Sequence, residues 1–389
     1  MPSNIMTNIK DLTIEKIKNL GVRKSDENME LLLNIYNKLG TDIDLKREVV
    51  SSIGRQKNNE KILHFIEDNV YKCGYMDLVY QMYRTCLYKQ KNNPEFFKLA
   101  NEIYDYFDNE VLYKMKYFYD YRQKRKTGII TGNKQIKSPT ILPGDNVKTL
   151  KKIKDGEVQL IFTSPPYYNA RVYSDYKSYK DYLYSMKQTL QECFRVLEDG
   201  RFIIINISPV ITKRPGREFE SIRYPIHFDF HRILTESGFY FIDEILWIKP
   251  ESSVKNRNGG YQQTRMPLSY KPNCISESLL VYRKKAPFLL DKNIHKYNKN
   301  FANDNSNFDT TNCWFIPPKA NKEHPAVFPE ELCQKVLTYY SFKTDVVLDP
   351  FAGSGTFGKV AKKMGRIPVL CEINDKYCGL IRRDHYDEL

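Results

Sequence analysis

Two consecutive prolines near the middle of the chain stand in the tetrapeptide Ser164-Pro165-Pro166-Tyr167. Residues 158–162, just before it, form an apolar run with the length of a buried strand. Because proline has a fixed φ and no backbone N–H, the pair holds the chain rigid and leaves its carbonyl oxygens free. A hydroxyl before it and an aromatic ring after it suit the binding of a flat heterocycle with an exocyclic amine. For this motif alone, a plain proline turn with a buried tyrosine is the alternative.

A second stretch that could bind a ligand is the glycine turn within residues 345–356. Residues 346–348 are apolar and predict a buried parallel strand that ends at Asp349. Gly353 and Gly355 lie in the turn that follows, and a helix is predicted directly after it. A strand, a glycine turn and a helix N-terminus together let a cofactor approach the backbone closely. A glycine-rich turn without a ligand is the alternative.

Together, these two motifs resemble those of the amino-methylating DNA methyltransferases. In that family a (D/N/S)PPY tetrapeptide follows one strand, and S-adenosylmethionine is bound at a glycine turn after another. Here the tetrapeptide precedes the glycine turn, which is the circularly permuted order of the β-class. The resemblance covers residues 139–389 and implies an α/β, Rossmann-like fold with S-adenosylmethionine as cofactor. It also implies that the target base is flipped out of the duplex into the tetrapeptide pocket.

The resemblance assigns roles residue by residue. Ser164, Pro165, Pro166 and Tyr167 match the catalytic tetrapeptide. Glu372, one strand after the glycine turn, matches the acid that accepts the ribose hydroxyls. Asp145 belongs to a Gly-Asp pair at the adenine end, and His324 lies in the segment that walls the methionine end. The full set expected to bind the cofactor is Asp145, His324, Asp349, Phe351, Gly353, Gly355, Thr356 and Glu372.

The first residue of the tetrapeptide bears on which base is methylated. In the family, DPPY is typical of N6-adenine enzymes and SPPY of N4-cytosine enzymes, so Ser164 favours cytosine. An N6-adenine enzyme is the alternative within the same fold. A C5-cytosine mechanism needs a nucleophilic cysteine after a proline, and no Pro-Cys pair occurs in the chain. We expect direct in-line transfer to the amine, with no covalent enzyme intermediate and no metal.

The chain as a whole is basic, with a formal net charge of +14 and a pI near 9.1. This charge, with 29 tyrosines and 21 phenylalanines, suits a surface that binds polyanions, because cations contact phosphates and bases stack on aromatic rings. Genome composition is the alternative explanation. The eight cysteines show no CxxC pair and no zinc-type spacing. Since no apolar signal segment or run of about 18 apolar residues occurs, we expect a cytoplasmic protein without membrane contact.

Patterning divides the chain into three regions. Residues 1–125 carry helical periodicity and predict a separate all-α domain. A weak 33-residue repeat, which aligns Val49 with Met82, fits either stacked helix pairs as in a short HEAT-like array or an irregular bundle. Residues 126–138 predict a basic linker. Residues 139–389 alternate short apolar runs with helical patterns, which indicates a methyltransferase domain of the α/β class.

Two polar segments of the α/β region are candidates for reading the DNA sequence. Residues 251–273 form a long cationic stretch, and residues 285–320 lie before the cofactor half. A solvated loop is the alternative for the first segment. Arginine, lysine and glutamine side chains can reach base edges or phosphates. The residues expected to contact DNA are Arg257, Gln262, Gln263, Arg265 and Lys271.

The sequence therefore predicts a site-specific DNA methyltransferase that makes N4-methylcytosine in double-stranded DNA. We expect it to be the protective half of a restriction–modification system, with a cognate restriction endonuclease acting on the same site. The alternative from another class is a nucleic-acid-binding or scaffold protein that keeps the fold without activity. The intact SPPY tetrapeptide, the glycine turn and Glu372 argue against it, because an inactive site would tolerate their loss.

Overall fold

A computed structural model describes residues 12–126, 135–168, 176–212, 216, 218–219, 221–253, 271–286, 308–319, 327–384 and 386–388. The chain divides into two compact units, Met1–Thr131 and Gly132–Leu389. Each unit has hydrophobic cores of its own. Across these described ranges, no helix is both long and apolar enough to span a membrane.

The first unit is helical throughout the part that the structure describes. Ser25, Asp42 and Asn58 each begin a helix by accepting a hydrogen bond from a backbone N–H of its first turn. Pro94 occupies the first turn of another helix, where the N–H that it lacks would have no helical partner. The described helices are α1 (Ile14–Val22), α2 (Asp26–Lys38), α3 (Ile43–Gly54), α4 (Asn59–Val70), α5 (Met76–Lys89), α6 (Pro94–Phe107) and α7 (Glu110–Lys126).

The packing of this unit recurs at the spacing of the predicted 33-residue repeat. Helix α3 packs between α1 and α5, and α5 packs against α7, so alternate helices stack in series. Gly21 faces Ser52 across the first of these contacts, and Gly54 faces Thr85 across the second. A methyl group on either glycine would lie 2.5 Å from the facing hydroxyl oxygen. The same close contact thus recurs at the repeat spacing, and membership of the HEAT-like class stays a prediction.

The second unit is an α/β domain, as predicted. Its central strands are almost entirely buried, as parallel strands covered on both faces must be. The strands are β1 (Thr140–Pro143), β2 (Val158–Thr163), β3 (Leu197–Ile207), β4 (Val210–Ile211), β5 (Arg223–Tyr224), β6 (Phe239–Ile248), β7 (Ser276–Lys284), β8 (Cys313–Phe315), β9 (Val346–Asp349), β10 (Ile367–Glu372) and β11 (Asp387–Glu388). The helices are α8 (Asn146–Thr149), α9 (Tyr179–Val196), α10 (Ile226–Glu236), α11 (Glu330–Tyr340), α12 (Thr356–Lys363) and α13 (Asp375–Arg382).

Nine of the described strands form one mixed sheet in the order β11-β1-β10-β9-β2-β3-β7-β6-β8. Neighbours in this sheet run parallel except at β7, which is antiparallel to both β3 and β6. Strands β4 and β5 form a separate hairpin. Strand β9 comes late in the chain yet lies in the middle of the sheet beside β2. This arrangement confirms the Rossmann-like fold with permuted motif order.

Alternate residues of the central strands pack against helices on opposite faces of the sheet. Ile161 and Leu348 lie in the core that includes α9 and α10. Phe162 and Val347, each one residue away, lie in the core that includes α11 and α12. Because both faces are buried, β2 and β9 lack the polar alternation of a half-exposed strand.

The chain leaves β9 and β2 in opposite directions. From β9 it passes through α12 to β10, which lies next to β9 in the sheet. From β2 it passes through α9 to β3, which lies next to β2 in the opposite direction along the strand order. Two parallel neighbours whose connections diverge in this way leave a crevice at their carboxyl ends, which is where open α/β sheets bind ligands. The fold therefore indicates a site at the ends of β9 and β2.

Buried polar groups also occur near the amino-terminal ends of these strands, where they have a structural role. Arg201 pairs with Asp345 and donates to the Gln159 carbonyl at 2.9 Å. The Gln159 side chain accepts from the Val346 N–H at 2.9 Å. These contacts join β2, β3 and β9 at the end opposite the crevice.

Candidate active site

The carboxyl ends of β9 and β2 carry the two motifs identified in the sequence. Asp349 is the last residue of β9, and Thr163 is the last residue of β2. The Thr163 hydroxyl donates to Asp349 Oδ1 at 2.6 Å in a buried hydrogen bond. Since Ser164 follows Thr163 directly, this bond holds the tetrapeptide beside the start of the glycine turn.

The turn between β9 and α12 requires glycine. Gly353 has a φ of 54° and Gly355 a φ of 79°, both in the left-handed region. A methyl group on Gly355 would also lie 2.8 Å from Ile381 Cγ1. Both positions therefore favour glycine, and Gly355 packs closely against α13. Thr356 begins α12, and the half-buried Phe351 packs against the core that includes α9.

Glu372 ends β10 and lies beside the glycine turn. Its Oε2 accepts from the Gly353 N–H at 2.7 Å, and its Oε1 accepts from the Asn374 N–H at 2.8 Å. Burial raises the pKa of Glu372, and these backbone hydrogen bonds lower it in part. Each oxygen retains acceptor capacity, so the carboxylate can also accept from ligand hydroxyls.

Asp349 is a second buried carboxyl group at this edge. Its Oδ1 accepts from the Thr163 hydroxyl and from the Phe351 N–H at 3.0 Å. Burial is the main reason that its pKa is raised to about 7; the nearby Glu372 adds to the effect, and the two hydrogen bonds oppose it. Near neutral pH, a cation bound close by would favour loss of this proton.

Asp145 follows β1 and caps α8, where its Oδ1 accepts from the Lys148 N–H at 3.1 Å. The Gly144 N–H donates to the Glu372 carbonyl at 2.8 Å, so the two strand ends adjoin. Asn146, which the sequence reasoning missed, donates to the Pro350 carbonyl at 3.0 Å. The structure thus brings the Gly-Asp pair, Glu372 and the glycine turn to one edge of the sheet.

In the tetrapeptide, Pro165 is buried, whereas Ser164, Pro166 and Tyr167 are half-buried. The Tyr167 hydroxyl donates to Glu277 Oε2 at 3.0 Å and accepts from Asn206 Nδ2 at 3.4 Å. Burial, with the charge of Glu277, raises the pKa of Tyr167 well above its usual value. Tyr167 therefore keeps its proton at neutral pH.

Three polar residues of this region were missed by the sequence reasoning. Asn206, near the end of β3, donates to Glu277 Oε2 at 2.6 Å and lies 3.4 Å from Ser164 Oγ. Lys249, just after β6, pairs with the other oxygen of Glu277, near the start of β7. Each is a polar residue at the end of an apolar strand, which was the available signal. Only the order of the strands shows that they meet.

Tyrosine rings pack behind the tetrapeptide. Tyr168 contacts Tyr179 and Tyr224, with ring centroids 5.2 and 4.9 Å apart. The Tyr179 hydroxyl donates to Asp229 Oδ2 at 2.7 Å. These contacts anchor the end of the tetrapeptide to α9, α10 and the β4–β5 hairpin.

Several predicted site residues lie outside the described residues. The structure describes Lys271, whose Nζ donates to the Ser221 carbonyl at 2.7 Å. Of the two segments expected to read DNA, the described parts are 251–253, 271–273, 285–286 and 308–319. DNA contact by these segments stays a prediction. The predicted residues outside the description are Arg257, Gln262, Gln263, Arg265 and His324.

The edge formed by Asp349, Glu372 and the glycine turn fits a cationic ligand that carries hydroxyl groups. The two buried carboxyl groups supply negative charge and hydrogen-bond acceptors beside the turn. S-Adenosylmethionine carries a positive sulfonium centre and a ribose. The residues present therefore fit the cofactor expected from the sequence.

A family model described as DNA methylase (N6_N4_Mtase) matches residues 158–383 of the chain, which is more than half of its length. The chain belongs to the DNA methylase family. The matched span includes the tetrapeptide, the glycine turn and Glu372. The family consists of S-adenosylmethionine-dependent amino-methyltransferases, which confirms the family and the cofactor class predicted from the sequence.

This DNA methylase is similar to two bacterial relatives and to one solved structure, as follows. The type II beta methyltransferase M.BslI of Bacillus sp. (strain NEB-606) is 27% identical over 256 residues, spanning 62% of this chain and 27% of that relative. The orphan methyltransferase M.BamHII of Bacillus amyloliquefaciens is 27% identical over 251 residues, spanning 59% of this chain and 89% of the relative. The solved PvuII DNA methyltransferase (cytosine-N4-specific) is 18% identical with a TM-score of 0.49, covering 65% of this chain and 88% of that one.

Proposed function

We propose that this DNA methylase transfers a methyl group from S-adenosylmethionine to the exocyclic N4 amine of a flipped cytosine in double-stranded DNA. The observation that carries the proposal is the hydrogen bond from Thr163 to Asp349, which joins the ends of β2 and β9. This bond holds together the turn that binds the methyl donor and the tetrapeptide that binds the base. The two motifs follow adjacent strands at the same end of the sheet.

On the donor side, Glu372 accepts hydrogen bonds from the ribose hydroxyls, and Asp145 lies at the adenine end. The bound cofactor supplies an electrophilic methyl group on its sulfonium sulfur. The negative charge of Asp349 favours binding of this cation. The remaining residues of the donor site line the methionine portion: Phe351, Gly353, Gly355, Thr356 and, as predicted from the sequence, His324.

On the acceptor side, Ser164 Oγ and the Pro165 carbonyl accept hydrogen bonds from the target amine, and the Tyr167 ring stacks on the base. These contacts orient the amine for in-line transfer without a covalent enzyme intermediate. The amine gains positive charge during transfer, and the two acceptors stabilise it. Flipping the base costs a few kcal/mol, which stacking and the pocket hydrogen bonds offset.

Ser164 supports cytosine as the target base. A serine hydroxyl is a weaker acceptor than an aspartate. In the family that the sequence resembles, SPPY is typical of enzymes that methylate N4 of cytosine. N6 of adenine is the second candidate, because adenine offers an exocyclic amine of the same kind. An inactive scaffold is disfavoured, since Ser164, Tyr167 and Glu372 are all present and brought to one edge.

We also propose a role in restriction–modification, with a cognate restriction endonuclease acting on the same site. The name of M.BslI as a type II methyltransferase supports this role, and the name of M.BamHII as an orphan methyltransferase marks a solitary enzyme as the alternative. Residues 251–273 and 285–320 contact the DNA in this proposal. The helical region 1–125 is a separate domain, joined to the catalytic region 139–389 by the basic linker 126–138.

Calorimetry and methyl transfer test the proposal together. We expect the purified protein to bind S-adenosylmethionine and to transfer its labelled methyl group to unmethylated genomic DNA. Ser164→Ala and Tyr167→Ala should each slow transfer by about 100-fold, because the amine is no longer held in position. Both variants should still bind the cofactor.

Glu236→Gln is the control. Glu236, the last residue of α10, forms an exposed ion pair with Lys187, with 3.0 Å between Oε2 and Nζ. It should transfer methyl groups at the wild-type rate. Full transfer by both tetrapeptide variants would contradict the pocket assignment. Absence of cofactor binding by the wild-type protein would contradict the enzyme assignment.

A further inference from the structure

Strands β2 and β9 separate before they reach the crevice. Their last backbone pair joins Ile161 to Leu348, although β2 continues to Thr163 and β9 continues to Asp349. On its outer side each strand stays paired to its end, β2 with β3 and β9 with β10. The backbone therefore fixes the end of each strand to its outer neighbour, beyond the point where the ladder between β2 and β9 has its last pair.

The Thr163 side chain bridges the gap between the two strand ends. Its hydroxyl donates to Asp349 Oδ1 at 2.6 Å, and the two residues are only 1% and 2% exposed. A hydrogen bond between groups buried to this extent is electrostatically stronger than the same bond in water. The bond therefore continues the connection of β2 with β9 up to the crevice.

On the donor side, Asp349 is joined to the glycine turn. The oxygen that accepts from the Thr163 hydroxyl also accepts from the Phe351 N–H at 3.0 Å. Two residues further on, the Gly353 N–H donates to Glu372 Oε2 at 2.7 Å. Because these bonds hold the turn at both places, a displacement of Asp349 is carried into the backbone beside the proposed cofactor.

On the acceptor side, the tetrapeptide is held by strands that lie away from β9. Tyr167 donates to Glu277 of β7 at 3.0 Å, and Asn206 Nδ2 of β3 lies 3.4 Å from Ser164 Oγ. The two prolines between Ser164 and Tyr167 keep this segment rigid. Since Thr163 directly precedes the tetrapeptide, its hydroxyl joins one rigid part of the site to the other.

We infer that Thr163 is a positioning residue, whose hydroxyl sets the distance between the methyl donor and the target amine by holding Asp349. The inference rests on the proposed function and holds for either target base. In-line transfer needs the reacting atoms about 3–3.5 Å apart, and a displacement of about 1 Å costs about 100-fold in rate. Strand propensity and burial alone would be satisfied equally by valine at this position.

Thr163→Val tests the inference because it keeps the shape of the side chain and removes the hydroxyl. The rate is measured in a single turnover, with the protein in excess over unmethylated genomic DNA and with saturating labelled S-adenosylmethionine. We expect this rate to fall by about tenfold or more, because the donor and the amine are no longer held at the required distance. The affinity for S-adenosylmethionine in calorimetry should change by less than about threefold, since Glu372 and the glycine turn remain.

Thr163→Ser and Thr163→Ala form a second pair that differs only in the hydroxyl. The serine variant should transfer methyl groups several times faster than the alanine variant, because its hydroxyl can still donate to Asp349. Thr85→Val is the control for the loss of a buried threonine hydroxyl. Thr85 lies in α5 of the helical unit, where its hydroxyl donates to the Gln81 carbonyl at 3.0 Å. This variant should transfer at the wild-type rate.

The rates of the variants relative to wild type decide the inference, and transfer by the wild type decides the proposed function. A wild-type rate for Thr163→Val would overturn the inference. A loss of cofactor affinity as large as the loss of rate would also overturn it, because Thr163 would then act on the donor turn alone. If Thr163→Val fails to fold, the serine and alanine variants decide, and equal rates for these two would overturn the inference.

Discussion

Asp349 and Glu372 are buried carboxyl groups with raised pKa values at the ends of β9 and β10. We propose that the methyl donor binds at these strand ends, which are called the donor edge below. A buried acid without a cation beside it disfavours the folded state once it is ionised. Both groups make hydrogen bonds with the glycine turn, so their positions are fixed before any ligand binds. Their charge is suited to a cationic cofactor, and its cost to stability can be measured.

Asp349→Asn should stabilise the free protein at alkaline pH. The usual pKa of 3.8 is raised to about 7 in the folded state, so the folded state retains a proton that the unfolded chain loses. The free energy of unfolding of the wild type therefore falls as pH rises from about 4 to about 7, by up to about 4 kcal/mol. Asparagine keeps the acceptor for Thr163 and Phe351 without the charge.

Denaturant unfolding at pH 4 and pH 8 checks this prediction. The variant and the wild type should be similar at pH 4, and the variant should be more stable at pH 8. Calorimetry should show weaker binding of S-adenosylmethionine by the variant at pH 8, because the negative charge is lost. Equal pH dependence in the two proteins would show that Asp349 is not the buried acid responsible.

At the scale of the elements, the site is made by the turns that follow the parallel strands. The sequence predicts a strand over residues 239–248, and β6 has these bounds, because apolar residues begin and end the segment between Gly238 and Lys249. The pattern also predicts that Gly200 ends α9. In the structure α9 ends at Val196, and Gly200 lies in a bulge, because strand pairing with β2 already begins at Leu197.

The motifs on β2 and β9 could be predicted because each is contiguous in the sequence. The contacts of Glu277 could not, because they depend on β7 lying between β3 and β6 in the sheet. Hairpin β4–β5 and strand β8 were also missed, since runs of two or three residues carry too little periodicity to be recognised. Contacts between strands that are distant in the sequence depend on the strand order and register of the sheet, which the local pattern does not specify.

Gly355→Ala should destabilise the protein by about 1–3 kcal/mol and impair methyl transfer. Alanine is strained at a φ of 79°, and its methyl group would lie 2.8 Å from Ile381 Cγ1. Gly379→Ala, inside α13, is the matched control because nothing lies within 4 Å of the added methyl group. It should leave stability unchanged or raise it by up to about 1 kcal/mol. Denaturant unfolding of the two variants gives the comparison.

A loss of stability at position 379 as large as that at position 355 would indicate a general intolerance of the unit to added methyl groups. Strain at the glycine turn would then not explain the loss of stability at position 355. Impaired transfer in Gly355→Ala with normal transfer in Gly379→Ala would tie the effect to the turn.

At the scale of the molecule, the two units have separate hydrophobic cores. The core of the helical unit is built from residues between Ile17 and Tyr119, and those of the α/β unit from residues between Ile136 and Ile381. No residue belongs to both sets within the described part of the chain. A core that is complete within one segment is what independent folding requires.

We expect the fragments 1–131 and 132–389 to fold separately. Each should show a cooperative thermal transition by circular dichroism, and fragment 132–389 should bind S-adenosylmethionine in calorimetry, because it contains the whole donor edge. A fragment 132–389 that lacks a cooperative transition would contradict the division into independent units.

Nucleoside analysis of DNA methylated by the purified protein decides which base receives the methyl group. Unmethylated genomic DNA is incubated with the protein and S-adenosylmethionine, digested to nucleosides and analysed by mass spectrometry. We expect N4-methyldeoxycytidine, formed about 100-fold more slowly in a reaction with Ser164→Ala. N6-methyldeoxyadenosine in its place would contradict the assignment of cytosine, and unmodified DNA would contradict the assignment of an active methyltransferase.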